Sequence, residues 1–183
     1  MDEAMRTDGL RIRDAGPPDV PAIQAIYAHH VMTGLASFEE EAPTVATMLA
    51  RLEAAWAAGY PYLVAERDGA VLGYAYASAY RPRRAYRFTV EDSVYVRDGL
   101  AGQGIGSALL AALIARCEAG PWRQMIAVIG NSGNAGSIAL HRRFGFTDVG
   151  VLRAVGFKHG QWVDTVLMQR PLGAGDGERP EDG

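Results

Sequence analysis

The sequence predicts an α/β (α+β) fold, a central mixed sheet flanked by helices on both faces. Three observations predict it. Runs with strand spacing and runs with helix spacing follow one another along the chain, each too apolar on one side to stand alone. Two turns, Asp68-Gly69 and Lys158-His159-Gly160, separate strand-like runs in the manner of hairpins. The third observation is the stretch 89–116, TVEDSVYVRDGLAGQGIGSALLAALIAR, which reads as a strand, a glycine-rich turn and a helix. At 183 residues and 49% hydrophobic content, one domain can bury a sizeable core.

The elements follow in order. Residues 1–9 read as a loose leader, and 10–13 alternate as a short first strand ended by Pro17-Pro18. Asp19 and Pro21 open a first helix in which Ile23, Ile26, Tyr27, His30 and Val31 repeat at three and four. His29 and His30 fall near its end, where a histidine complements the helix dipole, and no ligand spacing points to a metal. Residues 34–43 form a loop whose Phe38 is either a lid over a pocket or a core plug. Thr44 caps a second helix with Val45, Met48, Leu49, Leu52 and Trp56 as its buried stripe, stopped by Gly59 and Pro61. A hairpin of 62–66 and 70–78 follows. The connector 80–86, YRPRRAY, is basic and aromatic; it is a solvated loop, or it presents arginines that pair with a carboxylate.

The strand 89–96 carries Glu91, Asp92 and Ser93 among β-branched and aromatic residues, and from Ile105 a helical apolar stripe runs to the stop at Gly120-Pro121. The apolar run 125–129 suits a buried strand. Asn134 or Ser137 caps the next helix, where Leu140 and Phe144 pack at i,i+4 before Gly145. A final hairpin spans 147–157 and 161–170. The single domain therefore covers 10–172, and the Gly, Pro and acid of 173–183 predict a disordered tail.

A net charge of −3 argues against a general affinity for nucleic acid or anionic membrane. Cys117 is the only cysteine, which excludes an internal disulfide and suggests a reducing cytosol. No apolar run is long enough to span a bilayer, and MDEAMRTDG has neither a basic start nor an apolar h-region. These features predict a soluble, cytoplasmic protein.

Glycines at 99, 102, 104 and 106 let backbone N–H groups surround a phosphate at a helix N-terminus, where unpaired donors and the macrodipole favour an anion. A pyrophosphate is the natural guest, and a tight turn with close helix packing is the plainer alternative. A P-loop would need a Lys-Ser/Thr pair that is missing. A Rossmann first strand would be apolar, whereas this one is acidic.

Together, VEDSVYV, AGQGIG, AVIGNSGNAGSIALHRRFGF and RAVGFKHGQWVDTVLMQR resemble the GCN5-related N-acetyltransferase (GNAT) superfamily, within it the phosphinothricin and methionine sulfoximine acetyltransferases, over about residues 10–170. The resemblance implies the GNAT fold and acetyl-CoA as donor. Its pantetheine arm would lie against the backbone of Val94, Tyr95 and Val96, and its pyrophosphate in the turn Gly102, Gln103, Gly104, Ile105, Gly106 and Ser107. Ala101 stands where the family usually has Gln or Arg, a departure expected to tune affinity because backbone amides do most of the phosphate work. Asn134 and Ser137 match positions that line the CoA arm in relatives, and serve equally as helix caps.

The resemblance also implies Glu91 as general base, directly or through water, with an ion-pair partner of Arg84 or Arg87 as its plainer role. His141 stands where many members have a tyrosine acid, and could protonate the leaving thiolate or simply pack. Arg81, Arg83, Arg84 and Tyr86 sit where hosts for an amino-acid carboxylate and tetrahedral head would be, with Phe38 closing the pocket. The partners implied are a small-molecule amine acceptor and a second copy in a homodimer. Two other functions use the same residues: a protein N-terminal or lysine acetyltransferase, which needs an open peptide groove, and a non-catalytic acyl-CoA-binding sensor.

Overall fold

Alternation in the strands and three-to-four spacing in the helices place almost every element where expected, in a computed structural model that describes residues 9–180. The strands are β1 Arg11–Asp14, β2 Tyr62–Arg67, β3 Ala70–Ala79, β4 Thr89–Val96, β5 Gln124–Gly130, β6 Thr147–Lys158 and β7 Gln161–Pro171. The helices are α1 Val20–Thr33, α2 Val45–Ala57, α3 Ile105–Glu118 and α4 Ala135–Arg143. The sheet order is β1-β2-β3-β4-β5-β7-β6. Every pair is antiparallel except β4 with β5. That parallel pair follows from α3, which carries the chain from the end of β4 back to the start of β5.

Each sheet face has its own core. On one face α3 packs Ile105, Leu109, Leu110 and Leu113 over Leu63, Ala75, Val90 and Met125. On the other, α1 and α2 set Ile23, Val31, Met48 and Leu52 against Tyr62, Val64 and Tyr74. The α2 stripe is narrower than the spacing suggests: Met48 and Leu52 are buried, but Val45 and Trp56, in the first and last turns of the helix, are exposed. Pro17-Pro18 does more than end β1, since Pro17–Asp19 forms a 3₁₀ turn leading into α1, and β1 itself lies one residue later than expected.

The expected leader lies outside the described residues except for Gly9, as do the last three residues of the expected tail. Within the tail, Gly175 N–H donates to the Leu172 carbonyl at 2.9 Å and Gly177 N–H to that of Ala174 at 3.0 Å. Among the described residues no helix is long and apolar enough to cross a membrane.

Candidate active site

β4 and β5 pair over four residues, from Thr89 opposite Gln124 to Asp92 opposite Ala127, and then separate although both strands continue. The unpaired stretch of β4 leaves backbone groups facing a cleft of about 1150 Å³ between the strands. Val94, Tyr95 and Val96 line its length, although the Val96 carbonyl already accepts from His30 Nε2 at 2.8 Å.

At the far end of the cleft the turn 102–107 meets the start of α3. Gly104 is its N-cap with φ 80° and no side-chain cap, whereas Thr44 caps α2 and Asn134 caps α4, each accepting from the backbone N–H three residues on. The first-turn amides of this 14-residue helix therefore point at the cleft without a side-chain partner. Gly102 has φ 79°, and the space its Cβ would take is open. An uncapped helix start on an open, left-handed glycine turn fits the pyrophosphate of a coenzyme A. Gln103, Ile105, Gly106 and Ser107 complete the turn, and Asn134 and Ser137 face it from α4, so every residue assigned to the cofactor lines one cleft.

Alternation along β4 sends the two neighbouring carboxylates to opposite sheet faces. Asp92 faces α4, where its Oδ2 accepts from His141 Nε2 at 2.9 Å, with side chains 1% and 5% exposed. His141 Nδ1 donates to the Ser137 carbonyl at 2.7 Å. A carbonyl can only accept, so Nδ1 carries a proton, and the Asp92 carboxyl at Nε2 favours the doubly protonated ring. Burial pulls the His141 pKa down, but the Asp92 hydrogen bond and charge and the Ser137 carbonyl outweigh it and the net shift is upward. The role of thiolate acid expected for His141 meets an obstacle here, because donation from either nitrogen breaks one of these bonds. Sequence reasoning missed Asp92 as the partner; strand alternation opposite Glu91 was the available signal.

Glu91 faces the α1 and α2 side with Ser93 and Tyr95, opposite Ser78, Tyr76 and Tyr74 of β3. Burial, then the neighbouring Asp92 charge, push its carboxyl up to about 7, with Arg81 pulling the other way. The sequence suggested Arg84 or Arg87 as its ion-pair partner; the charge that Glu91 senses is Arg81. Tyr76 stands opposite Ser93 on this face; burial raises its hydroxyl pKa, with Ser93 and Arg51 pulling down and Glu91 and Glu39 pushing up. Arg51 holds Glu39 bidentately at 2.8 and 3.2 Å. These two were not among the residues singled out from sequence, since nothing local marks a helix arginine as reaching across to a loop.

The connector is less converged. Arg81 lies 5.1 Å above the Tyr80 ring, and Tyr86 meets the same ring edge-on at 5.7 Å. Arg83 and Arg84 are exposed, and no carboxylate of the described residues pairs with them. Phe38 is 42% exposed, which is not a core plug, and seats its ring on Gly156 of β6, outside the residues that line the donor cleft.

The model of the acetyltransferase (GNAT) family matches residues 23–146. The chain belongs to this family. The GNAT chain is 62% identical over 170 residues to a phosphinothricin N-acetyltransferase of Alcaligenes faecalis, covering 93% of this chain and 86% of that protein. It is 47% identical to an L-methionine sulfoximine/L-methionine sulfone acetyltransferase of Pseudomonas paraeruginosa, over 88% and 94% of the two chains. The crystal structure of a GNAT superfamily phosphinothricin acetyltransferase from Sinorhizobium meliloti in complex with AcCoA superposes with a TM-score of 0.92 at 50% identity, covering 96% and 95%. The splayed β4 and β5 pair and the uncapped α3 are thus features of a GNAT fold.

Proposed function

We propose that this GNAT protein transfers the acetyl group of acetyl-CoA to the amine of a small amino-acid-like acceptor, of the class of phosphinothricin and methionine sulfoximine or sulfone. The observation that carries this is a cleft suited to coenzyme A along β4 together with a half-buried carboxyl on the same strand, Glu91, which burial and Asp92 hold near neutrality on the opposite face from Asp92. The donor substrate supplies an activated thioester. Glu91 takes a proton from the acceptor ammonium, directly or through one water, leaving a lone pair to attack the carbonyl carbon. A backbone N–H of the unpaired β4 stretch, at Val94 or Val96, polarises the carbonyl oxygen. As the new C–N bond forms and the C–S bond breaks, the thiolate takes a proton and the amide nitrogen loses its second.

The acceptor carboxylate would be met by Arg83 and Arg84, which pair with no carboxylate among the described residues, and by Arg81, with Tyr86 beside them. The His141 ion pair serves to hold α4 against β4 in this scheme. Acetylation would abolish the basicity of a toxic amino-acid analogue, which suits a cytoplasmic resistance enzyme. The high similarity to amino-acid analogue acetyltransferases supports this acceptor over a peptide or a sensor role.

The test is a thiol-release screen with acetyl-CoA against phosphinothricin, methionine sulfoximine, methionine sulfone, their decarboxylated analogues and a short peptide. Turnover of the amino acids with poor turnover of the decarboxylated amines is expected. Preference for the peptide, or no turnover of any amine, would overturn the reading.

A further inference from the structure

The segment 35–39 has no helix or strand, yet four elements hold it. A Cβ on Gly130 of β5 would come within 2.6 Å of the Ala36 carbonyl oxygen and 2.7 Å of that of Leu35, so the backbones touch there. A Cβ on Gly156 would collide with the Phe38 ring. Ser37 Oγ lies 2.8 Å from the Tyr27 hydroxyl of α1, which donates to Glu39 Oε1 at 2.8 Å, and Glu39 is clasped by Arg51 of α2. The last tie is Lys158, at the end of β6 and 2% exposed, whose Nζ donates to the Ser37 carbonyl at 2.7 Å.

A lysine is an unusual residue for that place. Withdrawing an ammonium from water is costly, and packing alone would be served by an uncharged chain of the same length. Burial pulls its pKa below the usual lysine value, and the nearby Glu40 and Glu39 carboxylates only partly offset this. What only a long donor provides is a bond from the β6–β7 turn, folded tightly by His159 at φ 50° and Gly160 at φ 75°, to one main-chain carbonyl of the segment. That segment lies between the donor cleft and the Glu91 face of β4: Ala36 lines the cleft, while Glu39 accepts from Tyr27, whose ring meets Tyr95 edge-on at 5.1 Å on the face of β4 that carries Glu91.

We propose that Lys158 is a positioning residue for the acceptor, fixing 35–39 as a wall of the acceptor pocket through the Ser37 carbonyl, with the seat of Phe38 on Gly156 setting how large an acceptor fits. This rests on the acetyltransferase reading above. A wall held from outside acts on acceptor binding and leaves the donor cleft and the chemistry alone, which separates it from a loss of general stability.

Steady-state kinetics of wild type, Lys158→Met and Gly156→Ala with methionine sulfone and acetyl-CoA test it, alongside amide hydrogen exchange. Lys158→Met should raise the KM for methionine sulfone at least about tenfold, with kcat and the KM for acetyl-CoA within about twofold. Exchange should quicken at 35–39 and not in α3. Gly156→Ala should shift acceptor KM in the same way. If Lys158→Met does not fold, Lys158→Gln, whose shorter and uncharged chain no longer reaches the Ser37 carbonyl, is held to the criterion that acceptor KM alone moves. An unchanged acceptor KM in the folded variant, or equal losses in all three constants, overturns the proposal. A wild type inactive on every amino acid would instead overturn the acetyltransferase reading itself.

Discussion

Two adjacent carboxylates on β4 acquire opposite chemistry because a strand turns successive side chains to opposite faces. Glu91 is kept protonatable near neutrality by burial and by Asp92, whereas Asp92 is locked as the counter-ion of His141. A base works when deprotonated, so kcat/KM should rise with pH through a limb centred near 7 and level off above it. Glu91→Gln should lower turnover by roughly 100-fold and remove that limb, leaving only the titration of the acceptor amine near pH ~8; a pH–rate profile that keeps both would exclude Glu91 as the base. The same shift bears on stability. Its folded pKa lies above the ordinary glutamate value, so the contribution of Glu91 is full below that ordinary value and is lost as pH rises through about 7. His141 is also raised, so its contribution is present below its unfolded pKa and is lost as pH climbs through the higher folded one. Asp92→Asn removes the charge that holds the His141 pKa up, so burial drives the ring neutral; the change should cost about 2 kcal/mol at neutral pH and flatten the pH dependence of melting, as thermal melts across pH 5 to 9 would register.

At the scale of elements, α3 is the part whose start matters most. Gly104 holds φ 80°, a conformation that a β-branched residue adopts only with strain, and it sits where backbone amides converge on the cleft. Gly104→Val should weaken acetyl-CoA binding about tenfold or more in calorimetry while the folded fraction stays high, and an unchanged affinity would remove the turn from the donor site. The start of α3 was legible because it is written in four glycines and a helical stripe within one short stretch. Caps and hairpin turns were legible for the same reason: Thr44, Asn134 and Asp68-Gly69 act on their immediate neighbours. The residues that sequence did not reveal act at long range. Asp92 meets His141 across 49 residues and Lys158 meets Ser37 across 121, and neither pairing leaves a periodic trace. The α2 stripe erred for a third reason, since spacing reports which face a helix buries and not how many of its turns are covered.

At the scale of the molecule, the sheet ends on β6, and its outer edge has no strand neighbour among the described residues. Val149, Val151, Leu152, Val155 and Phe157 are all 43% exposed or more, with Trp162 of β7 packed edge-on to Phe157 at 5.2 Å. Val151 stands opposite Val166, which is buried, so it faces the side that a core covers, yet that core stops short of it. A long apolar edge strand with both faces bare invites pairing or aggregation unless something covers it. A second copy of the chain is the occupant that fits best, because a two-fold axis at β6 would cover both edges with the same surface and close the assembly. It would also bring the partner close to the β6–β7 turn and hence to the wall of the acceptor pocket. Light scattering of the wild type should give twice the mass of one chain. Val151→Lys places a charge in the middle of the strip, away from the cleft, and should yield the mass of one chain with unchanged circular dichroism. Its acetyl-CoA affinity should stay within about twofold of wild type, because the donor cleft lies within one chain, while a shared acceptor wall predicts a higher acceptor KM. A wild type that is monomeric at high protein concentration would leave β6 covered by something other than its own copy.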